Sequence, residues 1–115
     1  MPPTRIRPRQ TIEFPTGFGL TVDAPTARTY RIVSPLAFTI TGLVGLKTSA
    51  GSLTVTININ GTAVTGLSGL SVTSTPQNPT ATAANVVAVG AVITVDISSV
   101  SSAADFEFAV TGQLA

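Results

Sequence analysis

The chain has 115 residues, of which only 10% are charged, with a net charge of +1 at pH 7. This length suits one domain with one hydrophobic core. Cysteine and histidine are absent, which excludes disulfides, thiolate chemistry, imidazole acid–base catalysis and the common zinc sites. Typical soluble domains carry about 25% charged residues. The low charge therefore predicts either a Ser/Thr/Asn coat or extensive burial against other subunits.

Residues 1–27 are predicted to form an extended N-terminal arm. Five of the eight prolines lie in this stretch, where they fix φ, remove amide donors and disfavour helix. Phe14, Phe18 and Leu20 indicate that part of the arm docks on the body, whereas a frayed tail fits the first ten residues equally well. Those ten residues, MPPTRIRPRQ, have no apolar stretch after the arginines, so we expect no signal peptide.

Three arginines of the arm alternate with Ile6 and Pro8, which places their guanidinium groups on one side of an extended chain. Carboxylates of a protein partner suit this arrangement. Nucleic-acid phosphate is disfavoured because no aromatic platform accompanies the arginines and the net charge is near zero. The predicted partner-binding residues of the arm are Arg5, Arg7, Arg9, Phe14 and Phe18.

Charge is divided unevenly along the chain. Residues 1–31 hold five arginines and two carboxylates, a net charge of +3. Residues 32–115 hold one lysine and three carboxylates, a net charge of −2. The basic start is therefore expected to meet either the acidic body of a neighbouring copy or another acidic partner.

Residues 28–115 are predicted to form the body. Six short segments are rich in β-branched and aromatic residues or alternate apolar with polar residues, and no window shows a helical period. Gly, Pro and Asn punctuate them, and Pro76 and Pro79 mark a loop. The pattern predicts an all-β fold, an antiparallel β-sandwich that is jelly-roll-like. The segments are RTYRIV (28–33), LAFTIT (36–41), LTVTINI (53–59), GLSVTST (69–75), AVITVDIS (91–98) and DFEFAVTGQL (105–114). Alternation predicts that three of them bury the rows Leu36, Phe38 and Ile40, then Ile93, Val95 and Ile97, then Phe106, Phe108, Val110 and Leu114.

The clearest local prediction is a hairpin around residues 53–66, LTVTININGTAVTG. Apolar and polar residues alternate before Asn60-Gly61, a dipeptide that tolerates positive φ and suits a two-residue turn. With that turn, Val64 is expected opposite Ile57 on the buried face.

Catalytic residues are scarce in the predicted body, where Asp96, Asp105 and Glu107 are the carboxylates. Asp96 and Glu107 lie on the polar faces of their strands, so a calcium site or an acid pair is one interpretation and solvated surface charge is the other. No histidine activates a serine, and neither a GxSxG elbow nor a phosphate loop is present. We expect no enzymatic activity, no cofactor and no bound metal.

The composition also bears on membrane and carbohydrate binding. The longest apolar run, AANVVAVGAVITV, is shorter than the roughly 20 residues of a membrane helix, so we expect no membrane association. The hydroxyl-rich loops suit a sugar ligand, but Trp is absent and Tyr30 is the one tyrosine. Carbohydrate sites usually present aromatic side chains, so this composition disfavours a lectin.

Three features of residues 51–114 carry a resemblance to a known family. They are a Gly-started Thr-rich strand ending in Asn-Gly, a Thr/Ala loop leading into VAVG before a β-branched strand, and a Ser-rich turn into an aromatic closing strand. The segment resembles small β-sandwich domains of tailed-bacteriophage virion proteins: head decoration (cement) proteins, head fibres and tail-fibre tips. Such domains often carry an acidic residue directly after VAVG, where this chain has Ala91.

The resemblance implies a non-enzymatic virion structural protein made in the host cytoplasm. A capsid decoration protein would bind the major capsid protein or other virion subunits through its arm and assemble as a homo-oligomer, commonly a trimer. The alternative is a tail or fibre component that contacts the host surface and binds glycans.

Overall fold

A computed structural model of the chain describes residues 15–114. Within this range the chain forms nine β-strands and no helix. The strands are β1 Pro15–Val22, β2 Arg28–Val33, β3 Phe38–Lys47, β4 Ala50–Ile59, β5 Thr62–Ala63, β6 Leu70–Val72, β7 Val86–Val87, β8 Val92–Ala104 and β9 Phe106–Leu114.

The strands form two antiparallel sheets. A four-stranded sheet has the order β1-β9-β3-β7, and a five-stranded sheet has the order β2-β8-β4-β5 with β6 also paired to β4. From β1 to β4 the chain alternates between the two sheets. The prediction of an all-β antiparallel fold is confirmed. The two-sheet arrangement is consistent with a sandwich, whereas the jelly-roll-like organisation and the arm stay predictions.

One hydrophobic core lies between the sheets, and four long strands supply most of it. In β4, β8 and β9 alternate residues point inward because successive side chains of a strand face opposite sides. In β3 two register shifts, after Ile40 and after Val44, place the later inward residues three apart. The inward rows predicted for β4, β8 and β9 are confirmed. The buried rows are Leu53, Val55, Ile57 and Ile59 of β4, Ile93, Val95 and Ile97 of β8, Phe38, Ile40, Leu43 and Leu46 of β3, and Phe106, Phe108 and Val110 of β9.

The hairpin predicted at Asn60-Gly61 is confirmed. Ile59 pairs with Thr62 across the turn, and both turn residues have positive φ, 50° and 84°, as a type I′ turn requires. The N–H of Val64 donates to the carbonyl oxygen of Ile57 at 2.9 Å.

Part of the predicted arm belongs to the four-stranded sheet. Residues 15–22 pair with β9 along their whole length, from Pro15 opposite Gln113 to Val22 opposite Phe106. The predicted boundary at residue 27 lies in the connection between two paired strands, β1 and β2. Residues 1–14 lie outside the described residues.

The segment predicted as a loop around Pro76 and Pro79 covers the edge of β3. Leu46 N–H donates to Gln77 O at 3.0 Å, and Leu43 N–H donates to Pro79 O at 2.9 Å. Farther along, the Asn85 side chain donates to Ile40 O at 2.6 Å. The prolines lack N–H groups, but their carbonyls remain acceptors, so an irregular segment protects this edge from pairing with another chain.

Two local expectations are wrong. Leu36 was expected in the inward row with Phe38, but it precedes β3 and its residue surface is 45% exposed. The Ser-rich turn is instead the distal half of β8, where positive φ values at Ser99 and Ser102 accompany register shifts against β4. Such bulges bend a strand without ending it, and the chain turns into β9 at Asp105.

A pair of glycine substitutions tests the packing of the segment after β5. Both Gly66 and Gly61 have positive φ, but a Cβ on Gly66 would overlap the Thr80 carbonyl oxygen, whereas a Cβ on Gly61 meets open space. Gly61→Ala is expected to cost about 1 kcal/mol through backbone strain alone. Gly66→Ala is expected to cost about 3 kcal/mol because steric overlap is added. Urea unfolding measures both losses, and equal losses would contradict the described contact with Thr80.

Candidate functional site

One end of the body gathers three connecting regions of the chain. Ser34 N–H donates to Ala91 O at 2.9 Å, and Gly90 N–H donates to Ser34 O at 2.7 Å. The hairpin tip joins them, since Asn60 N–H donates to Val92 O at 2.8 Å. We call this surface the apolar end and define it as residues 33–38, 59–64 and 84–92.

The apolar end exposes large aliphatic side chains to solvent. Val86 is 72% exposed, Val89 69%, Val33 65% and Leu36 45%. Single exposed aliphatic residues are common, whereas larger contiguous apolar patches are typical of interaction surfaces. Four large exposed aliphatic side chains at one end make it a candidate for such a surface.

No charged residue lies in the three ranges of the apolar end. Four charged residues of the described part of the chain lie at the opposite end instead. There Lys47 Nζ is 3.8 Å from Glu107 Oε1, and Asp105 N–H donates to Asp23 O. The body therefore has one neutral, apolar end and one charged end.

The apolar end is also where the described chain begins. Pro15 pairs with Gln113, and the next residue of β9, Leu114, pairs with Phe38. Residues 1–14 thus join the body beside the apolar end. An open apolar crevice of about 190 Å³ lies close by, between β1 and β2, and its lining includes Phe18, Ile32, Pro35, Leu36 and Phe38.

One of the five predicted partner-binding residues, Phe18, lies in the described part of the chain. The other four lie outside it: Arg5, Arg7, Arg9 and Phe14. Phe18 lies in β1 and packs, partly buried, against the core of its own chain while lining the crevice. The expectation that Phe18 docks on the body is confirmed, and its role toward a partner stays a prediction.

A second surface feature is a polar depression on the outer face of the five-stranded sheet. It has a volume of about 630 Å³ and is lined by Thr29, Arg31, Asn58, Asn60, Gly61, Val92, Thr94 and Asp96. Asp96 accepts hydrogen bonds from Thr29 Oγ1 at 2.5 Å and from Asn58 Nδ2 at 2.6 Å. Asn58 Nδ2 also contacts Thr94 Oγ1 at 3.2 Å. The depression is the place where the described chain concentrates oriented polar groups.

The proposed acid pair of Asp96 and Glu107 does not form. Asp96 lies on β8 and Glu107 on β9, which belong to different sheets. Among residues 15–114, no group of three or more Asp, Glu, His or Cys side chains is placed to hold a metal ion.

Sequence reasoning missed both surfaces. The run ANVVAVGAV contained the signal for the apolar end, because it is apolar but lacks the period of a half-buried strand. The polar depression left no local signal, since Thr29 and Asp96 are 67 residues apart and meet through strand register alone.

No protein-family model, no curated protein and no solved structure matches the chain. Within the described range, no helix is long and apolar enough to cross a membrane.

Proposed function

We propose that the chain is a non-enzymatic structural protein of a tailed-bacteriophage virion, a decoration or cement protein of the head. Its jelly-roll-like β-sandwich would project from the particle, and its N-terminal arm would bind the major capsid protein or another virion subunit. Copies of the chain would associate as a homo-oligomer, a trimer in the family that residues 51–114 resemble.

The observation that carries this proposal is the apolar, charge-free end beside the start of β1. Residues 1–14 join the body at this end. The arm would therefore contact the capsid protein or another virion subunit beside the exposed valines, which would contact other copies of the chain. The charged end, with Lys47 and Glu107 about half exposed, then faces solvent. This polarity suits a subunit that adheres on one side and stays soluble on the other.

Rough energetics explain why such a subunit needs an arm as well. Complete burial of one Val or Leu side chain contributes about 1.5–3 kcal/mol. The four residues of the apolar end are between 45% and 72% exposed, so burial of the exposed part contributes on the order of 5 kcal/mol. Association costs about 4–15 kcal/mol in lost freedom. The patch alone therefore supports weak association, and additional arm contacts raise the effective concentration of the partner surface.

The alternative function, a tail or fibre component that contacts the host surface, would use the same apolar end for attachment to the tail. The polar depression favours it, because an oriented carboxylate and amide together with an exposed guanidinium suit a glycan. The position of the chain in purified particles distinguishes the two, since head and tail fractions separate physically. Glycan binding with no affinity for capsids would promote the alternative.

Charge placed on the apolar end is expected to abolish self-association. In Val86→Lys/Val89→Lys, burial of two ammonium groups would oppose the contact, while folding stability changes by about 1 kcal/mol or less because both side chains are exposed. Light scattering over a concentration series measures the oligomer. The matched control is Val44→Lys, a 48% exposed position outside the apolar end.

The control variant is expected to associate like the unmodified protein. Equal association of the double variant would contradict the assignment of the apolar end as an interface between copies. A dispersed monomer at high concentration in the unmodified protein would do the same.

Removal of residues 1–10 is expected to abolish attachment to heads and to leave the body folded, because the first described strand begins at Pro15. Purified heads lacking the protein are mixed with each form, sedimented and quantified by gel. A full-length variant with Arg5, Arg7 and Arg9 replaced by Gln separates the contribution of charge from that of length. Full loading of heads by the truncated chain would refute the arm hypothesis.

A further inference from the structure

The polar depression on the five-stranded sheet has a charge arrangement that selects its ligand. Its floor is Thr94, 9% exposed although it lies on the outer face of the sheet. Arg31 of β2 and Asn58 of β4 are the register neighbours of Thr94 on either side. The depression is therefore walled by side chains from three adjacent strands, which hold its shape.

Asp96 is held in a fixed orientation at one side of the depression. Each carboxylate oxygen accepts one hydrogen bond, from Thr29 and from Asn58 respectively. A carboxylate has about four acceptor positions, so two remain for a ligand. Fixed acceptors of this kind reduce the entropic cost of recognition because they need no reordering on binding.

Arg31 supplies the complementary donors. Arg31 and Asp96 line the same depression but do not form an ion pair with each other. Among residues 15–114, Lys47–Glu107 is the only pair of opposite charges within 4 Å. A guanidinium carries five N–H donors. A ligand between the two side chains meets acceptors on one side and donors on the other.

This pairing disfavours charged ligands and suits hydroxyl groups. Asp96 repels an anion, and Arg31 repels a cation. A hydroxyl group donates to the carboxylate and accepts from the guanidinium, and neighbouring hydroxyls of one ring satisfy both. Val92, partly buried at the margin of the depression, offers apolar contact to the C–H face of such a ring.

We propose that the polar depression binds a neutral hexose unit of a glycan, with Asp96 as acceptor and Arg31 as donor. The inference does not rest on the assembly role; it deepens the alternative function by naming the site and the class of sugar that a host-contacting component would bind. The depression opens on the face of the sheet and shares only Asn60, Gly61 and Val92 with the apolar end.

The test is an NMR titration of the full chain with methyl glycosides of glucose, galactose and mannose. An open site with few contacts is expected to bind with a Kd of about 1 mM or weaker. Chemical-shift changes are expected at Thr94, Asn58 and Arg31 for at least one glycoside. Glucuronate and glucosamine serve as the anionic and cationic probes, and each is expected to bind more weakly than the neutral sugar.

Arg31→Gln and Asp96→Asn are each expected to weaken binding about tenfold or more, since hydrogen bonds to charged groups are lost. Arg31 is exposed, so its replacement preserves the fold even where Asp96→Asn disturbs the bonds from Thr29 and Asn58. The matched control is Lys47→Gln at the charged end, which is expected to bind normally.

Three outcomes would overturn the inference. They are shifts at these residues for none of the neutral sugars, tighter binding of glucuronate than of every neutral sugar, and equal affinity in the Arg31 and Lys47 variants. None of these bears on attachment to heads, so failure of this site leaves the assembly proposal standing.

Discussion

The structure depends on two pairs of long strands whose aliphatic and aromatic rows face each other. β4 and β8 present Val and Ile rows from one sheet, and β3 and β9 present Leu, Ile and Phe rows from the other. Burial of these rows, at about 25 cal/mol per Å², is the main favourable term in a chain that has neither disulfides nor, in its described part, an ion pair other than the exposed Lys47–Glu107. The shorter strands and the irregular segment along β3 complete the edges that these four strands leave open.

A core that uses one face of each long strand leaves the outer faces and the ends to determine what the protein contacts. Hydroxyl groups cover much of the outer faces, as in the contact of Thr41 with Thr111 at 3.0 Å. Within residues 15–114, charge is confined to the charged end and to the five-stranded sheet, so the adhesion that we propose for the apolar end would rest on burial rather than on Coulombic attraction. Such adhesion is weakly sensitive to salt, which suits a permanent particle contact. The arginines of the predicted arm would add a salt-sensitive component to the same contact.

The sequence predicted the parts of the fold that are encoded locally. Period-two alternation identified the buried rows of β4, β8 and β9, and Asn60-Gly61 identified the turn, because both depend on neighbouring residues only. β1 was assigned to the arm because its glycines and Pro15 obscure the strand signal, and its pairing with β9 spans almost the whole chain. The polar depression was unpredictable for the same reason, since its geometry follows from register between distant strands. The exposure of Val86 and Val89 was unpredictable too, because it depends on which distant parts of the chain pack next to them.

The assembly role that we propose requires the apolar end to be buried in the particle. Hydrogen–deuterium exchange at the backbone amides of residues 84–92 is compared between the free protein and purified virions. Strong protection of these amides is expected in the particle, with little change near Asp23 and Asp105 at the charged end. Unchanged exchange at residues 84–92 combined with protection of the charged end, or the absence of the chain from particles, would contradict this role.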